Sequence, residues 1–256
     1  LVSGLRLRAP LRTRSGARSA VGRRNGTLAH THANEILGTV LSGLVERTGL
    51  DPSRVGQVVG GCINKVGAQA MNVTRTAWLS HGGDENVACT TIGAQCGSSQ
   101  QAVNTAHALI ASGVEDIVLA CGVENMSLLP IGSDAVAGAQ AGYGKPVSRS
   151  YFEHYEFTSQ FEGAERIADK YGISREDTDR FGLESQERAA KAIAEGRFEH
   201  QIIPIEAPVL GEDGKKTDQM AIVVHVREKK PKRALKAGET IPAEIDGIPT
   251  DVIEED

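Results

Sequence analysis

Residues 88–110 decide the fold: Ala88-Cys89-Thr90-Thr91-Ile92-Gly93-Ala94-Gln95-Cys96-Gly97-Ser98-Ser99-Gln100-Gln101-Ala102, then Val103-Asn104-Thr105-Ala106-His107-Ala108-Leu109-Ile110. A short β-rich run, Cys89 to Ile92, leads through a glycine-containing turn to Cys96. Gly97, Ser98 and Ser99 follow, and then a run of small residues with helical character. Such a helix can pack closely on several neighbours, so a buried helix is expected. Cys96 then stands at a helix N-terminus, where unpaired N–H groups and the positive end of the dipole favour a thiolate. Free cysteines are more often small core hydrophobes. Cys62, Cys89 and Cys121 fit that description, each lying in or beside an apolar strand-like run.

Outward from this stretch the chain alternates helix and strand. Residues 31–49 place Ile36, Leu37, Val40, Leu41, Leu44 and Val45 on one helical face, and Gly49 can end the helix. Residues 57–63 form a short apolar strand and residues 72–81 a helix, and residues 116–120 read as a buried strand. This alternation predicts an α/β fold with a largely parallel sheet covered by helices. Residues 128–144, rich in glycine and alanine, read as loop. Gln160 opens a helix, and Ser174-Arg175-Glu176-Asp177 is a capping-box start to a long charged helix ending near Gly196. Residues 201–209 are extended, and residues 221–226 form a strand followed by a basic, helix-poor linker.

The run Gln95-Cys96-Gly97-Ser98-Ser99-Gln100-Gln101-Ala102, with Cys121-Gly122-Val123-Glu124-Asn125-Met126-Ser127 further on, resembles the thiolases, the acyl-CoA acetyltransferases. The resemblance covers about residues 22–210. It implies a thiolase-like N-terminal domain, a mixed sheet covered by helices, over residues 25–213. An inserted loop domain at about 124–200 would cover the acyl-CoA. By this match Cys96 is the nucleophile that takes the acyl group as a thioester, and Gln160 and Phe161 contact substrate. Gln69, Asn72, Arg75, Cys89, Thr90 and Thr91 match the region of the family's dimer contact, which implies a homodimer or tetramer. Coenzyme A enters as a thioester substrate, and neither cofactor nor metal is implied.

The resemblance also implies what the chain lacks. A thiolase's second half supplies an Asn-Glu-Ala-Phe stretch, a Gly-His-Pro histidine and a Cys-Gly-Gly cysteine, and none of these occurs in the sequence. Residues 1–24 carry seven arginines before the first acidic residue, Glu35, and read as an altered start rather than a targeting signal. Residues 214–256 depart from the thiolase pattern and resemble a segment found ahead of some bacterial trypsin-like peptidases. The expectation is a truncated or chimeric thiolase in which acylation of Cys96 survives and carbon–carbon bond formation does not. The alternative is a non-catalytic remnant acting as an acyl-CoA-binding or self-associating module.

Composition narrows the setting. The 256 residues carry a net charge of −5, which gives no basis for general nucleic-acid affinity. No apolar run approaches the roughly 20 residues that span a bilayer. Four cysteines without paired spacing suggest a reducing compartment, hence the cytoplasm, and no cysteine–histidine cluster has zinc spacing.

Overall fold

Helix α1 (Ala33–Thr48) shows how the amphipathic pattern is used in the computed structural model, which describes residues 15–210, 216–226, 244–245 and 248–254. His32 caps its start by accepting the Asn34 N–H, and Gly49 ends it at φ +62°, a left-handed conformation that glycine adopts without strain. Leu37 and Leu41 are buried, with Ile36, Val40 and Val45 partly covered beside them. Gly38 is a packing requirement: a Cβ there would lie 2.0 Å from Nδ1 of His81.

Strand β1 (Gln57–Gly61) is the centre of a three-stranded parallel sheet, flanked by β2 (Ala88–Ile92) and β3 (Val118–Gly122). Val58 is in register with Cys89 on one side and Leu119 on the other. On this face they meet Leu37, Leu41, Ala77 and Trp78, the core contributed by α1 and by α2 (Val73–Ser80). On the other face lies α3 (Ser98–Ala111), so the sheet is a middle layer. The predicted parallel α/β architecture is what forms.

Two expectations from the sequence are corrected here. Helix α3 buries only Ser98, Ala102 and Ala106, and Val103 is 51% exposed. Its small residues allow close packing, but only the sheet side is covered. Strand β3 is likewise only partly buried because, among the described strands, it pairs on one edge alone.

The first unit runs to Asp134 and resumes at Gln201. Its second sheet has the order β4-β5-β7-β6, from β4 (Ile205–Leu210), β5 (Lys216–Val226), β6 (Glu244–Ile245) and β7 (Ile248–Glu254). β4 and β5 are antiparallel, β5 and β7 parallel, and β6 and β7 antiparallel, so this sheet is mixed. β5 is longer than the strand expected at 221–226, and β6 and β7 were not expected at all. The basic linker falls outside the described residues. Ile205 and Ala207 of β4 pack against Leu28. Arg18 runs alongside, its N–H on the Gln201 carbonyl (2.9 Å) and its carbonyl accepting from Ile203 (2.8 Å).

The second unit spans residues 135–200. The stretch expected to be loop contains α4 (Ser133–Gln140), where alanine's helix propensity outweighs the single Gly138. Helix α5 (Gln160–Tyr171) starts at Ser159, whose hydroxyl accepts the Glu162 N–H, and ends at Gly172. Helix α6 (Arg175–Ala194) has the capping box read from the sequence, with both reciprocal bonds between Ser174 and Asp177.

Candidate active site

Cys96 is held by a turn between β2 and α3. Gln95 has φ +44°, uncommon for a residue with a side chain. The turn is closed by the Gly97 N–H on the Ala94 carbonyl and the Ser98 N–H on the Gln95 carbonyl, both at 3.0 Å. The Ser98 hydroxyl fastens it again, donating to Gln95 O (2.6 Å) and accepting from Ala94 N (3.0 Å). Ser98 is therefore buried while Cys96, two residues earlier, is exposed.

Two glycines of the sheet make room for this arrangement. Gly61 of β1 and Gly122 of β3 are register partners. A Cβ on Gly61 would come within 2.5 Å of backbone atoms of Ser98 and Ser99, and one on Gly122 within 2.0 Å of the Ser99 hydroxyl. The first turn of α3 thus rests on a floor without side chains at the C-terminal ends of the parallel strands. In open α/β sheets this is where ligands bind.

The other cysteines behave differently. Cys62 is buried, and loss of solvent, reinforced by the Glu124 carboxylate beside it, pushes its thiol up to about 12. Cys121 is also pushed up to about 12 by burial, with Cys89 adding to the shift. Burial raises Cys89 too, opposed by Arg75. Cys96 is the one exposed thiol of the four.

Beside the strand ends lies a polar network that sequence reasoning missed. Glu124 accepts from the backbone N–H groups of Ile63 (2.8 Å) and Asn64 (3.3 Å) and from the side-chain amides of Asn64 (3.1 Å) and Gln69 (2.8 Å). Gln69 in turn accepts the Asn125 N–H (2.7 Å). The Asn125 amide donates to the carbonyls of Leu28, Ala29 and Thr31. The signal available was the run 121–127, noted as a motif without a role for Glu124 or Asn125.

Gln69, expected at a subunit contact, is 0% exposed within the chain and committed to Glu124, Asn64 and Asn125. Its neighbours do lie along β2. Asn72 caps α2 and donates to the Cys89 carbonyl (2.9 Å), and its Oδ1 accepts from Thr91 (2.8 Å). Arg75 donates to the carbonyls of Val87 and Glu85, which lead into β2. Thr90 is exposed, its hydroxyl accepting from Gln57 (2.9 Å). Gln160 and Phe161 start α5 in the second unit, where Phe161 is 73% exposed. The structure supplies no geometry that joins them to Cys96.

Among the described residues, no group of three or more His, Cys, Asp or Glu is placed to hold a metal ion, and no helix is long and apolar enough to cross a membrane. A cavity of about 540 Å³, lined by His30, His32, His81, Glu35, Thr39 and β4 residues among others, lies apart from the Cys96 turn, none of whose residues lines it.

Comparison with known proteins agrees with this geometry. Residues 14–236 match the thiolase N-terminal domain family, a match that begins within the arginine-rich start and extends into the divergent tail. Over 193 residues the chain is 42% identical to a steroid 3-ketoacyl-CoA thiolase of Mycobacterium tuberculosis, covering 74% of this chain and 47% of that protein. It is 36% identical over 194 residues to a 3-ketoacyl-CoA thiolase of Psychrobacter cryohalolentis, covering 75% and 47%. The crystal structure of the Bacillus anthracis acetyl-CoA acetyltransferase superposes with a TM-score of 0.65 at 30% identity, over 80% of this chain and 51% of that one. The chain spans about half the length of the curated relatives it matches. These matches give no support to the peptidase-like reading of residues 214–256. By its sequence match and its fold, the chain belongs to the thiolase family.

Proposed function

We propose that the chain takes part in thiolase-type acyl transfer, with Cys96 accepting an acyl group from a coenzyme A thioester. One observation carries the reading: Cys96 is the exposed cysteine, at the start of α3 and over the C-terminal ends of the parallel strands. The Cys96 thiolate attacks the thioester carbonyl carbon. The tetrahedral oxyanion collapses, the carbon–sulfur bond to coenzyme A breaks, and the departing thiolate takes a proton. Cys96 is left as an acyl thioester. The start of α3 favours the anionic sulfur through its dipole. The reading needs no cofactor beyond the coenzyme A thioester, places the chain in the cytoplasm, and assigns Gln160 and Phe161 to substrate contact. It further includes self-association through the edge of β2 that pairs with no other described strand, a ready template for a second chain.

A second reading rests on a different observation. Among the described residues nothing hydrogen-bonds to the Cys96 thiol, and a nucleophile without a paired base reacts slowly. On that reading the chain binds acyl-CoA and self-associates without turnover. Incubation with acetyl-CoA followed by peptide mass spectrometry separates the two. Acyl transfer gives an adduct on Cys96, absent in Cys96→Ala, with Cys62 and Cys121 unmodified. Saturable acetyl-CoA binding with no adduct leaves the binding module.

A further inference from the structure

The first unit contains a cavity that acyl transfer at Cys96 does not use. Its volume of about 540 Å³ lies within the range of small-molecule sites. Its described walls all belong to that unit, and no residue of the Cys96 turn is among them.

Strand β4 builds one wall through its period of two. Ile205 and Ala207 turn toward Leu28, so Glu206 and Pro208 face the other way, into the cavity. Among the described strands β4 ends its sheet, a place where a proline such as Pro208 is tolerated. Pro204 and Leu128 add apolar surface.

Another wall is the start of α1, with His30 and His32 leading into it. His32 accepts the Asn34 N–H at Nδ1 (3.1 Å), which requires the lone pair there, so this ring brings no positive charge. His81 arrives from the end of α2. Its ring lies over Gly38 and directs Nε2 at the Thr39 hydroxyl (3.4 Å) and at Oε2 of Glu35 (3.5 Å).

Charge decides what fits. The described lining residues include two carboxylates, Glu35 and Glu206, and neither lysine nor arginine. The Glu206 carboxylate has no hydrogen bond or ion pair among the described residues, and that of Glu35 has only the long contact to His81. Carboxylates with unused lone pairs are matched by a flat cation that presents several N–H donors in one plane. An amidinium or guanidinium gives two such donors to one carboxylate, and its plane stacks on rings such as imidazole.

We propose that this cavity binds a small organic cation, an amidinium or guanidinium on an apolar body, with Glu35 and Glu206 accepting from its N–H groups. Benzamidine is the probe, titrated into the full chain and followed by amide chemical shifts, with benzamide as its uncharged counterpart and benzoate as the anion. Benzamidine should bind saturably and shift residues 31–39 and 204–208 while residues 94–99 stay in place, and benzamide should bind about tenfold more weakly or worse. Glu206→Gln should weaken benzamidine about tenfold with an unchanged melting midpoint, since no described partner is lost. Glu35→Gln should weaken it to a similar extent, and Cys96→Ala should bind it like wild type, which keeps this site separate from acyl transfer. Equal binding of benzamide, tighter binding of benzoate, or no saturable binding of benzamidine overturns the proposal. So does zinc sulfate that binds at these histidines more tightly than benzamidine and excludes it, which would make the cavity a metal site.

Discussion

Helices α1 and α6 are of comparable length and are held in opposite ways. α1 buries Leu37 and Leu41 against Val58, Ala77 and Trp78, and its conformation is dictated by what lies around it. α6 has no buried residue, and Phe181 and Leu183 are 73% and 62% exposed. It is kept helical by its own sequence: the Ser174–Asp177 capping box and ion pairs one turn apart, such as Arg175–Asp179 and Arg188–Glu184. The lesson is that one region is specified by distant residues and the other by near ones. Exposed ion pairs contribute little each, and isolated helices are marginal in water. The two regions should therefore respond differently to the same kind of substitution.

The largest difference is expected for core truncation. Trp78→Ala removes a buried indole whose N–H also bonds the Asp84 carbonyl (2.9 Å), and should lower the unfolding free energy by about 3–5 kcal/mol in urea titration. Phe181→Ala should leave it nearly unchanged. Equal losses would mean that α6 has a packed partner in solution. Glu124→Ala comes next. It strips the acceptor from four donors, and the unsatisfied amides should cost roughly 3 kcal/mol. Glu124→Gln retains one acceptor and should lose less.

Gly61→Ala is smaller but more local. The added methyl meets the backbone of α3 at Ser98 and Ser99, which cannot rotate away, and overpacking of this kind costs about 1–3 kcal/mol. Amide resonances of residues 94–99 should shift while those of α6 do not. The smallest effect is a pH response of α6. Asp177, held by the Ser174 backbone N–H first and then by Arg180 and the Ser174 hydroxyl, sits at about 2, below its ordinary 3.8. A lowered carboxyl contributes above its unfolded value, and the contribution disappears as pH falls through the folded one. Amide exchange of residues 174–178 should therefore accelerate between about pH 4 and 2, and Asp177→Asn should abolish that step.

Much of this was legible from the sequence where the cause is local. α1 showed through its apolar spacing, α6 through its cap, and the Cys96 turn through a strand run broken by glycine before a helix of small residues. α4 was hidden because alanine and glycine together read as loop, although alanine dominates in helices. The burial of Gln69 and the role of Glu124 were not legible. Their meaning arises when residues 63, 69 and 124 come together, and no periodicity encodes that. The coverage of α3 was overestimated for a related reason: small residues permit neighbours on every side but do not say how many sides are occupied.

The bare floor beneath α3 has a consequence for anyone wishing to move this nucleophile elsewhere. Grafting residues 93–99 onto another strand–helix unit would carry the cysteine, the positive-φ glutamine and the serine clasp, yet leave behind Gly61 and Gly122, 37 and 23 positions away from Ser98 and Ser99 respectively in the chain. On a host sheet with ordinary side chains at those two places, the helix would ride higher and the turn would open. The portable unit is a discontinuous one, three strand ends and one helix start, and a design that copies the contiguous motif alone would inherit the sulfur without its seat.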